Sequence, residues 1–404
     1  SFQNWVGGLL ENANPLLYAL LVDGIIGGVG AVVGFLPLVM VLYFLIALLE
    51  DCGYMARVSV VLDPIFKKVG LSGKFVIGIG CGVPGIMACR TIRNERERRA
   101  TAMLTPMMPC GAKIPVISLF AGAFFDNAGW VSTVMYFTGI ILIFFGSLII
   151  NKIAGYKARK SFFIMELPEY KIPSLWGAFK SMCNRGWAYI VKAATIILLC
   201  NTLVQIMQTF NWSFAVAETA DSSILASLAR PFAYIIYPIV GVLSWQLAAA
   251  AVTGFIAKEN VVGTLAVCFV GLENLINTDD LELVQGAGTE AAGIIAITKV
   301  AALAYLMFNL YTPPCFAALG AMNSEMKSKK WFWAGIGYLL GVGYTVGYCV
   351  YTVGTLITSP SSLNVGAALG GLAIVVVFVA VIAFLITNTN KHLKSEYALN
   401  ASKA

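Results

Sequence analysis

The sequence predicts an all-α polytopic membrane protein, on the strength of its composition, its long apolar runs and its proline-containing helix breaks. Of its 404 residues, 59% are hydrophobic and 12% are charged, and the mean hydropathy is +0.83. Soluble domains carry about 25% charged residues, so this chain lacks half of the surface that normally keeps a protein in water. We expect roughly seven to ten membrane segments, some of them broken or re-entrant.

Seven apolar runs are near or above the ~20 residues that cross a bilayer as a helix. They are Gly27–Leu49, Val131–Ile150, Trp187–Leu203, Pro231–Ala257, Ala291–Leu310, Trp331–Ile357 and Val365–Ile386.

Basic residues cluster between these runs, most densely in Arg90–Arg99, Lys152–Lys160 and Lys327–Lys330. By the positive-inside rule these loops face the cytoplasm, and we expect both termini on the same side. A nucleic-acid partner is not expected, because the clusters have neither interleaved aromatic residues nor a soluble platform.

Three further apolar segments are interrupted by glycine and proline: Gly73–Cys89, Met103–Phe125 and Tyr311–Ala321. In hydrocarbon an unpaired backbone group costs several kcal/mol, so non-helical backbone persists only inside protein or beside a water-filled cavity. Broken helices at membrane depth therefore indicate a substrate path. Placing Pro84 on Pro314 also sets Glu95 on Glu325, which predicts a weak internal repeat.

Common catalytic and nucleotide motifs are missing from the sequence. Residues 80–85 read G-x-G-x-x-G, but Pro84 and the apolar surroundings do not fit a strand–turn–helix unit. No G-x-x-x-x-G-K-[ST] motif occurs, and the single histidine, His392, excludes Ser-His-Asp and zincin chemistry. We do not expect this chain to be an enzyme.

Three cysteines stand beside prolines at the helix breaks: Cys81, Cys110 and Cys315. Proline frees backbone carbonyl groups, and soft sulfur next to exposed carbonyl oxygen suits a borderline transition-metal ion better than Mg²⁺ or Ca²⁺. The alternative is that cysteine is simply a small, well-packed residue in a helical bundle. We predict a metal role for these three cysteines and packing for most of the others.

Acidic residues within apolar runs form a second candidate group: Asp23, Glu50, Asp51 and Glu259, with Asn260 beside the last. An ionisable group inside a membrane span is costly, which makes it a functional candidate by default. The alternative is that these residues mark helix ends at the interface, with Lys258 reaching toward the headgroups. We favour a cavity role for Glu259 and leave both interpretations open for the others.

Seven stretches in a fixed order resemble the bacterial ferrous iron transporter B family (FeoB). They are LLVDGIIGGVG, LLEDCGYMARV, GLSGK, GCGVPGIMACRTIRNERERR, PCGAKIPVISL, AKENVVGTL and YTPPCFAAL. The resemblance implies Fe²⁺ transport across the bacterial inner membrane. It also implies metal-path roles for Cys81, Cys110 and Cys315 and a carboxylate ligand at Glu259. The helix breaks, independently of the resemblance, indicate path or gate positions at Pro84 and Pro314.

The resemblance further implies a domain plan. It comprises a leading membrane segment (1–33), a first gate repeat (34–135), a connecting span and basic loop (136–194), a second gate repeat (195–324) and C-terminal spans with a tail (325–404). In the family a G-protein domain that binds GTP and Mg²⁺ normally precedes the membrane domain, and we expect this chain to be the membrane part alone. A small cytoplasmic accessory protein and a homo-oligomer are further expected partners.

The chain departs from the family pattern around the first gate. The link between Lys74 and Gly80 is short, Pro109 stands where many members have serine, and Gly82 and Gly85 replace Asn and Ala. Two alternatives to iron transport stay open: a gate-type carrier of a small organic solute such as a nucleoside, and an iron sensor or scaffold that moves nothing. The preference for Fe²⁺ over Mn²⁺ or Zn²⁺ is also open.

Overall fold

The structure is a computed structural model, and it describes part of the chain. The described residues are 37, 40–41, 43–68, 71, 81–92, 94–125, 129–153, 170–189, 191, 195–213, 215, 220–258, 260–269, 276–277, 282–283, 288–360 and 364–401. Asp23 and Glu259 lie outside them.

Helices dominate the described residues, as the sequence predicts. After a helical segment over 43–51 they run as follows: α1 Tyr54–Lys68, α2 Gly82–Ala88, α3 Glu95–Leu104, α4 Ile114–Phe124, α5 Trp130–Ile153, α6 Leu175–Tyr189, α7 Thr195–Thr209, α8 Ile224–Val240, α9 Trp245–Thr253, α10 Asn260–Cys268, α11 Gly288–Ile295, α12 Lys299–Tyr311, α13 Phe316–Met326, α14 Lys329–Thr358 and α15 Val365–Ala401. Two two-residue strands, Ile276–Asn277 and Glu282–Leu283, pair antiparallel between α10 and α11.

Four helical stretches are long and apolar enough to cross a membrane: Glu95–Phe124, Trp130–Ile153, Lys329–Thr358 and Val365–Thr389. Two bent pairs raise the number to 6, because α8 and α9 meet at 101° and α12 and α13 at 41°. The described residues thus confirm an all-α membrane fold with broken helices. Their four to six candidate spans are fewer than the seven to ten expected for the whole chain.

Two runs predicted as continuous spans are broken, so those predictions were wrong. Pro231–Ala257 contains the sharp bend after α8, where Gly241 adopts a left-handed conformation with φ +76°. Ala291–Leu310 is split between α11 and α12 at Ala296, whose φ is +54°. Side-chain caps restart the helices after both breaks. Ser244 accepts a hydrogen bond from the Leu247 N–H of α9 at 3.4 Å, and Thr298 accepts one from the Ala301 N–H of α12 at 3.2 Å.

Helix α12 lies at the centre of the fold, with nearly every residue from Ala301 to Tyr311 buried. Helix α14 packs closely along it because Gly343 and Gly347 present no side chains there; a methyl group on Gly343 would lie 2.8 Å from the Thr312 backbone nitrogen. Helix α15 carries exposed valine and leucine side chains from Val365 to Leu385, as expected of a surface that faces lipid.

Candidate functional site

Three helix breaks converge on the C-terminal end of α12. The first covers 105–113 between α3 and α4, the second covers 254–258 after α9, and the third covers 312–315 between α12 and α13. The Phe316 N–H at the start of α13 donates a hydrogen bond to the Ile256 carbonyl at 3.3 Å, which joins the third break to the second. The breaks predicted in Met103–Phe125 and Tyr311–Ala321 are therefore confirmed and lie beside each other.

Cys110 and Cys315 each stand at a helical start in these breaks. Cys110 has extended backbone (φ −112°, ψ 170°) before a 3₁₀ turn at Gly111–Lys113, and Cys315 (φ −57°, ψ 158°) precedes α13. Both are half-buried. Cys110 lies in the same break as Lys113, and Cys315 directly precedes Phe316, whose N–H bonds to Ile256 in the break that carries Lys258. The structure thus brings two of the three predicted cysteines to one region.

Lys113 joins the first break to the end of α12. Its side chain is fully buried, at 2% exposure. Its ammonium group donates hydrogen bonds to the backbone carbonyls of Pro106 at 2.9 Å, Met108 at 3.5 Å and Leu310 at 2.6 Å.

Lys258 makes the equivalent connection from the second break. It is 3% exposed, and its ammonium group donates to the Asn309 carbonyl at 2.9 Å, the Asn309 side-chain oxygen at 3.3 Å and the Thr312 hydroxyl at 3.4 Å. The alternative that Lys258 reaches toward the headgroups is therefore wrong. We call Lys113 and Lys258 the ammonium pair, and the backbone oxygens of Pro106, Asn309 and Leu310 the carbonyl cluster.

These two lysines are the residues that sequence reasoning missed. In both breaks an Ala-Lys dipeptide precedes the following helix: Ala112-Lys113 ends one residue before α4 begins, and Ala257-Lys258 ends two residues before α10 begins. That recurrence was a visible signal. The sequence alone does not predict two buried lysines from this recurrence, because lysine near an apolar run is usually an interface residue that keeps its charge in water.

Cys81 lies at the start of α2, which packs beside α13. The C-terminal ends of these two helices are joined by an ion pair between Arg90 and Glu325 at 2.6 Å, in which the Glu325 side chain is 3% exposed. The hydrogen bond to Glu325, together with its charge, raises the pKa of Arg90. Since the C-terminal ends meet, Cys81 and Cys315 both lie at the opposite, N-terminal end of the helix pair.

The two prolines used to align the repeats are not structurally equivalent. Pro84 is the third residue of α2, where its missing N–H needs no partner, whereas Pro314 is buried ahead of Cys315 and outside α13. The two helix starts correspond instead at Cys81 and Cys315.

The acidic candidates lie elsewhere. Glu50 is exposed and forms an ion pair with Arg185 of α6 at 2.7 Å, and exposed Asp51 accepts a hydrogen bond from the Ser174 N–H at 2.8 Å. Asn260 is half-buried at the start of α10. Among the described residues no group of three or more His, Cys, Asp or Glu side chains is arranged to hold a metal ion.

Comparison with known proteins identifies the type of membrane domain. The family described as "Gate: Nucleoside recognition" matches residues 32–124 and 190–329, and "Ferrous iron transport protein B C terminus" matches residues 133–185. No solved structure matched the chain.

Several curated relatives are similar over most of this chain. The Fe(2+) transporter FeoB of Staphylococcus aureus strain COL is 35% identical over 351 residues, which cover 85% of this chain and 50% of the relative. The Fe(2+) transporter FeoB of Methanocaldococcus jannaschii is 35% identical over 360 residues, covering 85% and 51%. A Fe(2+) transport protein A/Fe(2+) transporter FeoB fusion protein of Porphyromonas gingivalis is 32% identical over 397 residues, covering 87% and 46%.

The chain spans about half the length of these relatives. Its two Gate segments include the helix starts at Cys81, Cys110 and Cys315, and the intervening α5 and α6 fall in the ferrous iron transport segment. The chain belongs to the Gate family of membrane domains, in the form carried by ferrous iron transporter B proteins.

Proposed function

We propose that this chain forms the path by which Fe²⁺ crosses the bacterial inner membrane into the cytoplasm. The observation that carries the proposal is that Cys110 and Cys315 stand in two helix breaks that both meet the C-terminal end of α12. The names of the relatives, which describe Fe(2+) transporters, support the choice of ion.

The chemistry of the site suits an ion that must bind and then leave. A thiolate is a soft ligand that favours Fe²⁺ over Mg²⁺ or Ca²⁺. Two sulfurs, with further candidates at Cys81 and Glu259, would hold the ion more weakly than a closed structural site of four ligands. Conduction needs binding that is strong enough to admit an ion and weak enough to release it.

We orient the chain by its basic residues. The ends that carry Arg90, Arg99 and Lys327 lie together with Glu325, since α2, α3, α13 and α14 all meet there. By the positive-inside rule this end faces the cytoplasm, which also places the C-terminal end of α15 on that side. The cysteines at the opposite ends of α2 and α13 then lie deeper in the membrane.

The proposed partners follow from the family. We propose that a G-protein domain that binds GTP and Mg²⁺ regulates or drives the movement of the ion. The Porphyromonas gingivalis relative is named as a fusion with Fe(2+) transport protein A, which favours a small accessory protein acting at the same membrane domain. A homo-oligomer stays part of this proposal.

The test is anaerobic ⁵⁵Fe²⁺ uptake by cells that make the complete protein in a strain without its own ferrous uptake. Cys81→Ala, Cys110→Ala and Cys315→Ala are compared at matched expression with Cys349→Ala, which removes an exposed thiol from α14. Loss of a metal ligand should lower uptake at least about tenfold while GTP hydrolysis persists. Normal uptake in all three variants would contradict the proposal.

Two further uptake measurements distinguish iron transport from the organic-solute carrier and test the choice of ion. Excess unlabelled nucleoside should leave ⁵⁵Fe²⁺ uptake unchanged. Competition would favour the carrier of a small organic solute, in line with the words "Nucleoside recognition" in the Gate description. Excess Mn²⁺ or Zn²⁺ measures the preference among divalent ions. Binding of Fe²⁺ without any uptake by the wild type would favour an iron sensor or scaffold.

A further inference from the structure

The ammonium pair is an unusual feature for the interior of a membrane protein. Lys113 and Lys258 are both buried, come from different breaks, and donate to the carbonyls of two consecutive residues, Leu310 and Asn309. In the described part of the chain, every hydrogen-bond partner of either ammonium group is a neutral oxygen. Moving an ammonium group from water to neutral oxygens is expensive, so this arrangement among the described residues requires a reason.

The need of the carbonyl groups for hydrogen-bond donors does not by itself explain why the donors are charged ammonium groups. The last carbonyls of α12 lack partners inside the helix and need hydrogen-bond donors. A serine hydroxyl, an asparagine amide or a water molecule would donate without placing two positive charges side by side. What distinguishes the ammonium groups is that they are cations held among backbone oxygens.

Backbone carbonyl oxygens are also the ligands with which proteins replace the water around a bare cation. Here the carbonyl cluster comes from the first break and the C-terminal end of α12, and Cys110 and Cys315 stand in the breaks that meet this end. Each ammonium group sits at the end of a flexible four-carbon stem, so it is able to leave the oxygens without unfolding a helix.

We propose that the carbonyl cluster is a cation-binding site, which the ammonium pair occupies until the transported ion displaces it. The identity of that ion rests on the proposed function, whereas the cation site itself does not. In this arrangement the lysines hold the breaks together while the path is empty. An ion that binds only oxygen must compete with tethered ammonium groups, and an ion that also binds sulfur has an added advantage at Cys110 and Cys315.

The test replaces the tethered cation with a free one. Lys113→Ala is purified in detergent, and its thermal midpoint is measured in NH₄Cl and in tetramethylammonium chloride at equal ionic strength. We expect NH₄⁺ to restore at least half of the lost stability and the bulkier ion to restore none. Lys299→Ala, at the exposed N-terminal start of α12, is the matched control and should respond to neither salt.

The second readout asks whether the cargo shares the site. Fe²⁺ binding is titrated anaerobically with and without NH₄⁺. In Lys113→Ala, NH₄⁺ at about ten times its own dissociation constant should weaken Fe²⁺ binding about fivefold or more by mass action. In the wild type and in Lys299→Ala it should have no effect.

Each outcome decides a separate point. Absence of NH₄⁺-specific rescue overturns the cation site, even if the wild type takes up iron normally. Rescue without competition overturns displacement by the cargo. Rescue in a protein whose wild type binds no Fe²⁺ supports the cation site and overturns the iron assignment. If Lys113→Ala does not fold, Lys258→Ala answers the same questions, because its ammonium group also rests on an oxygen of α12.

Discussion

The close approach of α14 to the third break gives a sharp test of the packing. Replacing Gly343 with alanine would place a methyl group 2.8 Å from the Thr312 backbone nitrogen and 3.0 Å from the Tyr311 carbonyl carbon. Real Cβ atoms do not come this close to backbone, and backbone atoms cannot rotate away as the tip of a side chain can. The helix or the break must therefore shift.

The change in the free energy of unfolding expected for Gly343→Ala follows from two opposing effects. Alanine in place of glycine in a helix interior stabilises it by up to about 1 kcal/mol. Forcing a methyl group into packed surroundings costs about 1–3 kcal/mol. Because both contacts are with backbone, we expect a cost near the top of that range and a net loss of about 1–2 kcal/mol.

The control is Gly337→Ala on the same helix. Nothing lies within 4 Å of a methyl group built at Gly337, so only the helix-forming effect remains and the variant should gain up to about 1 kcal/mol. Free energies of unfolding are measured by SDS titration in mixed micelles, and ⁵⁵Fe²⁺ uptake is measured in parallel. If the two variants unfold at the same SDS concentration, the close packing of α14 on the third break is wrong.

Two further predictions each compare two variants, and both are measured as free energies of unfolding by the same SDS titration. Arg90→Ala should lower the free energy of unfolding more than Glu325→Gln does. The first substitution leaves a buried carboxylate without a cation, whereas the second leaves an exposed guanidinium that water can solvate. The reverse order would contradict the assigned ion pair. Tyr311→Phe should cost about 1 kcal/mol, since it removes a 2.6 Å hydrogen bond to the Met135 carbonyl. Tyr344→Phe should be neutral or stabilising, because the Tyr344 hydroxyl is buried with no hydrogen-bond partner among the described residues; equal losses in both would refute this reasoning.

Local chemistry made the breaks predictable from sequence. The prolines in PCGAKIP and YTPPC, with the glycine in the first, predict interrupted helices, and the structure has a break in both segments. The salt bridge between Glu95 and Arg99, at 3.1 Å, was equally accessible because an i,i+4 spacing fixes the two side chains on one face of a helix.

Contacts between distant segments were not predictable in this way. The repeat alignment set Glu325 against Glu95, yet Glu325 pairs with Arg90, which is 235 residues away in the sequence. Lys113 and Lys258 reach one helix end from different parts of the chain. The residues around Lys113 and Lys258 do not determine whether the two ammonium groups are buried, because that depends on where α12 ends.

The division of the site among three breaks has a mechanical consequence. Leu310 and Asn309 hold one ammonium group each, so a displacement of the end of α12 alters both contacts at once. The chain continues from that end through the third break into α13, which is joined to α2 by the Arg90–Glu325 ion pair, so the end of α12 is connected to the helix that begins at Cys81. A compact four-ligand centre would resist such movement and retain its metal. Ligands carried by separate helices change their spacing when the helices move, and a transported ion needs that change in order to leave.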